Sequence, residues 1–106
     1  MELKDKEVVL IQAQANYYKS AQEQVVGDLI VTNQRTIFKS KKVSILADDV
    51  ELFHDQIKHV ENFDFLYLFP SGLKIVTTTG QGYKFRTANR DGLIKAYIQA
   101  QVTAFD

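Results

Sequence analysis

The stretch VGDLIVTNQRTIF, residues 26–38, contains two short β-prone segments joined by a polar turn. Valine, isoleucine, threonine and phenylalanine dominate both segments, and these residue types favour strands. Asn33 and Gln34 suit the tight turn between the segments, because asparagine tolerates left-handed backbone angles. Arg35 follows the turn directly. The stretch therefore predicts a hairpin with one strand over 25–32 and the next over 36–38.

The rest of the chain as far as residue 86 continues this pattern of alternating residues or short apolar runs. Alternation predicts a first strand over 8–18 with one face exposed to water. Its polar positions are Gln12, Gln14 and Asn16. Further strands are predicted over 43–46, 57–63, 65–69, 73–78 and 83–86. Between these strands, residues 47–56 predict a connection with a short turn of helix, and Pro70-Ser71-Gly72 predicts a turn.

The period changes at the end of the chain, where apolar residues recur at spacings of a helix. Asn89 can cap that helix, and Asp91 falls in its first turn, where the helix dipole favours a negative charge. An apolar stripe is predicted from Ile94, Ile98, Val102 and Phe105. We expect one domain over 1–106, with a core at about 7–102 and a helix at about 89–103. The strands would form a bent antiparallel sheet whose open end the helix closes.

The order of these segments resembles that of a GRAM domain, which has the pleckstrin-homology fold. The residues that match the opening hairpin of this family are Gly27, Leu29, Thr32, Asn33, Arg35, Ile37 and Phe38. Those that match its later hairpin are Gly72, Ile75, Thr77, Gly80, Tyr83 and Phe85. The resemblance covers about residues 7–102. It implies a mainly β barrel of about seven antiparallel strands in two bent sheets with a C-terminal helix, and a module that binds membrane lipids or proteins.

Length and composition set limits on the class of protein. A chain of 106 residues that is 45% hydrophobic is long enough for one core without metal or disulfide support. It contains no cysteine, which excludes disulfides, thiol nucleophiles and cysteine-based zinc sites. Its 13 basic and 13 acidic residues cancel, so no net field draws it to nucleic acid. We expect a cytoplasmic protein, with peripheral membrane attachment as an alternative.

Two groups of cations suggest an anion-binding surface. Arg35, Lys39, Lys41 and Lys42 form the first group, and Lys74, Lys84 and Arg86 form the second. If both hairpins lie on one side of the fold, these residues would face anionic lipid head groups, each lysine contributing about 1 kcal/mol. The alternative is that the lysines only keep the protein soluble. An arginine directly after a turn is more often structural, and the fixed place of Arg35 in the GRAM pattern favours that role.

Acidic residues are concentrated in another part of the chain. Asp48, Asp49, Glu51 and Asp55 are predicted to form a protein-interaction surface opposite the basic one. Two such surfaces would let copies of the domain associate, or bind a charged partner. A solvated acidic loop is the simpler alternative. The first loop offers Lys19 alone among acids, which disfavours tight inositol-phosphate binding.

The sequence shows no motif for catalysis or for a cofactor. The two histidines, His54 and His59, do not form a metal or catalytic site together. They lie five residues apart, so they would point to opposite sides of a strand and would not share a helix face. No serine has nucleophile-elbow context and no glycine-rich phosphate loop precedes a helix. Most aromatic residues alternate with aliphatic ones and belong to the core, which disfavours nucleic-acid binding. We therefore expect a protein-interaction or self-assembly domain that is not an enzyme, with binding to anionic phospholipid as the alternative.

Overall fold

A computed structural model describes residues 2–20, 22–41, 49–65 and 69–105 of the chain. Within these ranges the backbone forms eight β-strands, a short 3₁₀ helix and one α-helix. The strands are β1 (Val9–Ser20), β2 (Glu23–Thr32), β3 (Arg35–Ser40), β4 (Val50–Phe53), β5 (Ile57–Phe65), β6 (Phe69–Thr77), β7 (Gly82–Arg86) and β8 (Ala104–Phe105). The 3₁₀ helix spans His54–Gln56, and the α-helix, α1, spans Arg90–Gln99.

The described strands form one sheet in the order β4-β3-β2-β1-β7-β6-β5-β8. Neighbouring strands are antiparallel except β5 and β8, which run parallel. The sheet is not closed, because β4 and β8 lie at its two ends. The prediction of a mainly β fold with one C-terminal helix is confirmed. The finer prediction of about seven antiparallel strands in two sheets is corrected to eight strands in one ordered sheet.

The two predicted hairpins are present. In the first, Ile30 lies opposite Ile37 and Leu29 lies opposite Phe38, on either side of the predicted turn. In the second, β6 pairs with β7 from Gly72 to Val76. The second hairpin alternates along β6, where Leu73, Ile75 and Thr77 are buried, and this pattern fixes which side chains face the core. In the first hairpin, the residues next to the turn are buried on both faces of the sheet.

The strand predicted over 57–63 is confirmed as part of β5, which continues to Phe65. The separate strand predicted over 65–69 is wrong at its ends, because Phe65 ends β5 and Phe69 begins β6, and residues 66–68 lie outside the described residues. A single strand, β5, runs through residues 62 and 63, which pair with Leu73 and Gly72 of β6. The predicted turn at Pro70-Ser71-Gly72 lies inside β6 instead. The register shifts between the pairs Phe63–Gly72 and Phe65–Phe69, which leaves residues 70 and 71 in a bulge. A bulge accepts proline because a residue in the bulge does not have to donate an N–H to the ladder, and proline has no N–H to donate.

The acid-rich connection contains more regular structure than predicted. The expected turn of helix is present as the 3₁₀ helix, but β4 precedes it and pairs with β3. The mixed spacing of Val50, Leu52 and Phe53 concealed this four-residue strand. The strand predicted over 43–46 lies outside the described residues.

The core lies between the inner faces of the bent sheet and α1. Its largest fully buried side chains are Tyr97, Phe38, Phe85, Leu29, Leu73 and Ile75. Each buried aliphatic or aromatic side chain of this size stabilises the fold by roughly 1.5–3 kcal/mol relative to an exposed one. Residues from seven of the described strands, β1 to β7, and from the helix meet in this one cluster, so the core depends on contacts between segments that are distant in sequence.

The helix is shorter than predicted, and its buried face overlaps the predicted stripe only in part. It ends at Gln99 because Gln101 has a φ of 66°, and the N–H groups of Gln101 and Val102 donate to the carbonyls of Ile98 and Tyr97. These two bonds form a Schellman cap. The predicted stripe is confirmed at Ile94 and Val102, which are buried, and corrected at Ile98, which is 60% exposed, and at Phe105, which lies on β8.

The buried helix residues are Leu93, Ile94, Ala96 and Tyr97. At the start of the helix, Asn89 occupies the N-cap position and Asp91 lies in the first turn, as predicted. The Asn89 side chain makes no capping hydrogen bond, however. The helix is therefore held mainly by its buried face rather than by a side-chain cap.

Candidate functional site

The N-terminal segment, residues 2–8, packs over the turn between β2 and β3. The Asn33 side chain donates to the Lys6 carbonyl and accepts from the Val8 N–H, and the Gln34 side chain donates to the Asp5 carbonyl. The Thr32 hydroxyl donates to a Glu7 carboxylate oxygen at 2.7 Å. The turn residues of the opening motif are therefore used to hold the N-terminal segment.

Arg35 lies at the centre of this packing. Its guanidinium donates to the Glu7 carboxylate from Nε at 2.8 Å and from Nη2 at 3.0 Å. Nη1 donates to Glu51 Oε2 at 2.6 Å, and Nη2 also donates to the Glu2 carbonyl. The Glu7 side chain is fully buried, whereas that of Glu51 is half exposed. Bidentate arginine–carboxylate pairs of this kind are geometrically specific and strong.

The ion pair shifts the pKa of both partners. Hydrogen bonding from Arg35 lowers the pKa of Glu7 to about 2, although burial acts in the opposite direction. Hydrogen bonding to Glu7 raises the pKa of Arg35. Both groups are therefore charged throughout the physiological range. Arg35, predicted as an anion-binding residue, is buried against these carboxylates and does not lie among the exposed lysines.

The other predicted cations lie on one face of the sheet. We call this face, which carries Gln12, Gln14, Asn16 and Tyr18 of β1, the outer face. Residues directly opposite one another in an antiparallel ladder point to the same face, so the register identifies the members of each row.

Three adjacent rows cross the strands. The first row is Lys74, Lys84, Tyr18 and Gln24, and the second is Gly72, Arg86, Asn16 and Val26. The third row is Gln14, Asp28 and Lys39. The Lys41 N–H donates to the Val26 carbonyl at 3.0 Å, which places this residue at the β3 end of the second row. With strands about 4.8 Å apart, the cations extend over roughly 20 Å from β6 to β3.

The local environment of these cations is mixed. The ammonium of Lys74 lies 4.0 Å from Glu61, and that of Lys84 lies 4.6 Å from the centre of the Phe63 ring. Asp28 is the register partner of Lys39. The outer face is therefore a polar surface with interspersed charges rather than a purely cationic one. Lys42, which was predicted to belong to it, lies outside the described residues.

The predicted acidic residues take part in local contacts. The Asp49 carboxylate accepts from the Ser40 N–H at 2.9 Å, and Glu51 pairs with Arg35. Register places Glu51 opposite Ile37, on the same face of the sheet as Lys39 rather than on the opposite one. Asp55 is exposed on the 3₁₀ helix, and Asp48 lies outside the described residues.

Most described aromatic rings belong to the core. Tyr17 packs against Phe38, Phe85 and Tyr83 with ring centroids 5.2–6.2 Å apart. Ring pairs at this separation contribute beyond the area they bury. These rings are therefore not displayed for stacking on bases. Phe63, beneath Lys84, and Tyr18 are among the described rings on the outer face.

A depression of about 400 Å³ opens where β7 leaves β1. It is lined by Gln14, Ala15, Asn16, Arg86, Thr87 and Ala88. Three of these side chains, Gln14, Asn16 and Arg86, belong to the outer face. The depression has both polar and apolar lining residues and lies at the border of the basic rows.

The histidines lie in separate environments. His54 Nε2 is 3.3 Å from the Thr36 hydroxyl, which in turn bonds the buried Tyr97 hydroxyl at 2.8 Å. Burial lowers the pKa of His54 and raises that of Tyr97. His59 lies 3.6 Å from Glu61 and beneath the Phe105 ring. Among the described residues, no three histidine or acidic side chains are grouped so as to hold a metal ion.

Two parts of this arrangement were not identified from the sequence. Glu7 was not singled out, because its role depends on a contact across 28 residues. The alternation in β1 predicted only that one of its faces is exposed to water. The same polar residues, Gln12, Gln14 and Asn16, turn out to belong to the outer face. In the part of the chain that the structure describes, no helix has both the length and the apolar character needed to span a membrane.

Comparison with solved structures identifies the fold. The N-terminal PH domain of Vps36 superposes with a TM-score of 0.68 at 18% identity, covering 94% of this chain and 81% of that one. The chain has a pleckstrin-homology-like fold. The Sac2 domain of the human phosphoinositide phosphatase Sac2 gives a TM-score of 0.62 at 12% identity, covering 98% and 79% of the two chains.

A third similar structure is the C-terminal domain of an unknown protein from Leishmania infantum. It has a TM-score of 0.77 at 16% identity and covers 91% of this chain and 85% of its own. No protein-family model matches the sequence, and no curated protein matches it. At these identities the similarity establishes the fold alone.

Proposed function

We propose that this chain is a non-catalytic binding module of the GRAM type, and that it acts as a protein-interaction domain through its outer face. The observation that carries the proposal is the strand register, which aligns Lys39, Lys74, Lys84 and Arg86 in three adjacent rows. Cations from two hairpins thus share one surface, with the polar outer-face residues of β1 between them.

The composition of the outer face favours a protein partner over a membrane. Asp28 and Glu61 lie in the same rows as two of the cations, so the surface carries charges of both signs. Anionic head groups favour a surface of positive charge alone, whereas a surface with charges of both signs favours a protein with a complementary arrangement of charges. Val26 is 44% exposed among these polar residues and offers an apolar contact near the middle. Tyrosine and arginine, both present here, are enriched at protein interfaces.

A separate partner fits better than self-assembly. Two copies could associate through opposite charges only if the acidic residues of one copy were able to contact the cations of the other. Glu51, at the centre of the predicted acidic surface, is already paired with Arg35. Asp49 is bonded to the Ser40 backbone. We therefore infer a partner whose own surface is acidic.

The test compares two double charge reversals of equal net charge. Lys84→Glu with Arg86→Glu alters the outer face, whereas Lys58→Glu with Lys95→Glu alters exposed lysines on β5 and α1. Proteins captured by cross-linking to the unaltered chain are purified, and their Kd for each variant is measured by calorimetry. We expect the outer-face reversal to weaken binding at least tenfold, about 1.4 kcal/mol, and the control reversal to leave it unchanged.

Two further measurements distinguish the alternatives. Sedimentation with vesicles of anionic phospholipid is expected to show no salt-sensitive binding. Salt-sensitive vesicle binding that the outer-face reversal abolishes would contradict the proposal and favour a peripheral membrane adaptor. Light scattering is expected to give a monomer at all concentrations, and a defined oligomer lost on the same reversal would favour self-assembly.

A further inference from the structure

The N-terminal half of β1 has an open edge. This strand pairs with β2 along its length but pairs with β7 only over residues 16–18. β7 ends at Arg86, after which the chain turns into α1. Among the described strands, none pairs with residues 9–15 on the β7 side.

The backbone groups on this edge can be assigned. The Thr87 hydroxyl donates to the Gln14 carbonyl at 2.9 Å, so the backbone polar groups of Gln14 face the β7 side. Alternation places the N–H and C=O of Gln12 on the same side. Within the described residues, no backbone hydrogen bond from another segment reaches Gln12 on that side. The edge therefore offers a donor and an acceptor to an added strand.

The surroundings of the edge leave it accessible. Gln12 and Gln14 are exposed, and the depression that holds Arg86 adjoins the edge. Natural edge strands are commonly protected by lysine, proline or a bulge. Residues 9–15 contain no lysine and no proline, and only the register shift between Val9 and Ile11 interrupts the ladder.

We propose that a short extended segment of an acidic partner protein adds to this edge as a further strand. This inference rests on the proposed function and specifies the partner. The added strand would run antiparallel to β1, in line with β7, and its backbone would bond the N–H and C=O of Gln12. At the end nearer β7, a carboxylate of the segment would meet the Arg86 guanidinium. The lining of the depression includes Arg86, and the positive charge of its guanidinium gives the charge complementarity.

A random library of eight-residue peptides displayed on phage, selected on the whole chain, tests the proposal. We expect the selected peptides to carry aspartate or glutamate and to slow amide hydrogen exchange at Gln12. Gln12→Pro removes the N–H that faces the open side and leaves the β2 ladder intact. It is expected to weaken binding of a synthetic selected peptide about tenfold or more, whereas Gln12→Ala, which keeps the N–H, should change it by less than about twofold.

The results that would overturn the edge proposal differ from those that would overturn the proposed function of the outer face. Thermal unfolding of Gln12→Pro first establishes that the variant is folded. Selected peptides that bind Gln12→Pro as tightly as the unaltered chain, or that protect a different edge from exchange, would overturn the edge proposal. A captured partner that requires Lys84 and Arg86 but binds Gln12→Pro normally would also overturn it, while leaving the outer-face function in place.

Discussion

Arg35 and Glu7, which are 28 residues apart, form a buried ion pair joined by two hydrogen bonds of 2.8 and 3.0 Å. The pair attaches the N-terminal segment to the start of β3, and Glu51 attaches the same guanidinium to β4. An arginine that sequence reasoning offers as a ligand contact therefore joins three segments of the fold. The exposed cations that face solvent lie elsewhere on the sheet.

Removal of the Glu7 carboxylate is expected to destabilise the fold strongly. Glu7→Ala leaves the buried Arg35 charge with Glu51 as its remaining carboxylate, and loss of one partner of a buried pair costs about 3–5 kcal/mol. Denaturant unfolding measures the change. The matched control is Glu23→Ala, which removes an exposed pair with Lys19 and should cost less than about 1 kcal/mol. Equal losses for the two variants would show that the Glu7 pair contributes little.

The free energy of unfolding should depend on pH because of Glu7. Its pKa falls from 4.5 to about 2 on folding, so the folded state favours the ionised carboxylate. The resulting stabilisation, roughly 3 kcal/mol, is present above pH 4.5 and is lost as the pH falls towards 2. The difference in unfolding free energy between the unaltered chain and Glu7→Gln, measured from pH 6 to pH 2, should therefore shrink on acidification. A difference independent of pH would contradict the assignment.

The buried hydroxyls of Thr36 and Tyr97 should be energetically coupled. Thr36→Val leaves the Tyr97 hydroxyl buried without its 2.8 Å partner, which costs about 1–3 kcal/mol. Tyr97→Phe should have a smaller effect, because Thr36 keeps its contact with His54. Unfolding of both single variants and the double variant gives the coupling free energy. Additive losses would mean that the hydrogen bond does not contribute to stability.

The two glycines at 27 and 82 should respond differently to alanine. A Cβ at Gly27 would meet the Lys39 carbonyl oxygen and would lie 2.7 Å from the Phe38 ring, both in the packed interior. Overpacking of this kind costs about 1–3 kcal/mol. A Cβ at Gly82 would meet only the end of the Lys74 side chain, which can move. Thermal unfolding should thus show a large loss for Gly27→Ala and a small one for Gly82→Ala.

The strands that could be predicted are those with a regular pattern. β1, β2, β3 and β7 have alternating or unbroken apolar residues, which identify both the strand and its buried face. β4 and β8 could not be predicted, because they are short and are held by neighbours distant in sequence. Pro70 suggested a turn because proline commonly occupies one, and only the pairing of β5 with β6 reveals the bulge that accepts it.

The candidate site was also predicted only in part, because it depends on contacts between segments that are distant in sequence. The cations were visible as two groups in the sequence, but their shared face follows from a register that joins β6, β7, β1, β2 and β3. The burial of Arg35 depends on Glu7 and on the N-terminal segment, whose charged residues carry no signal of a long-range contact. Sequence patterns thus predicted the longer strands and the helix, whereas the site depends on which strands lie next to one another.

The most direct test of the outer-face proposal is a lysine footprint of the complex. Acetylation rates are measured by mass spectrometry for the chain alone and with its purified captured partner. The proposal predicts that Lys39 and Lys84, which belong to different hairpins, are protected together, while Lys58 and Lys95 react at unchanged rates. Protection of Lys58 or Lys95 with no change at Lys39 and Lys84 would contradict it.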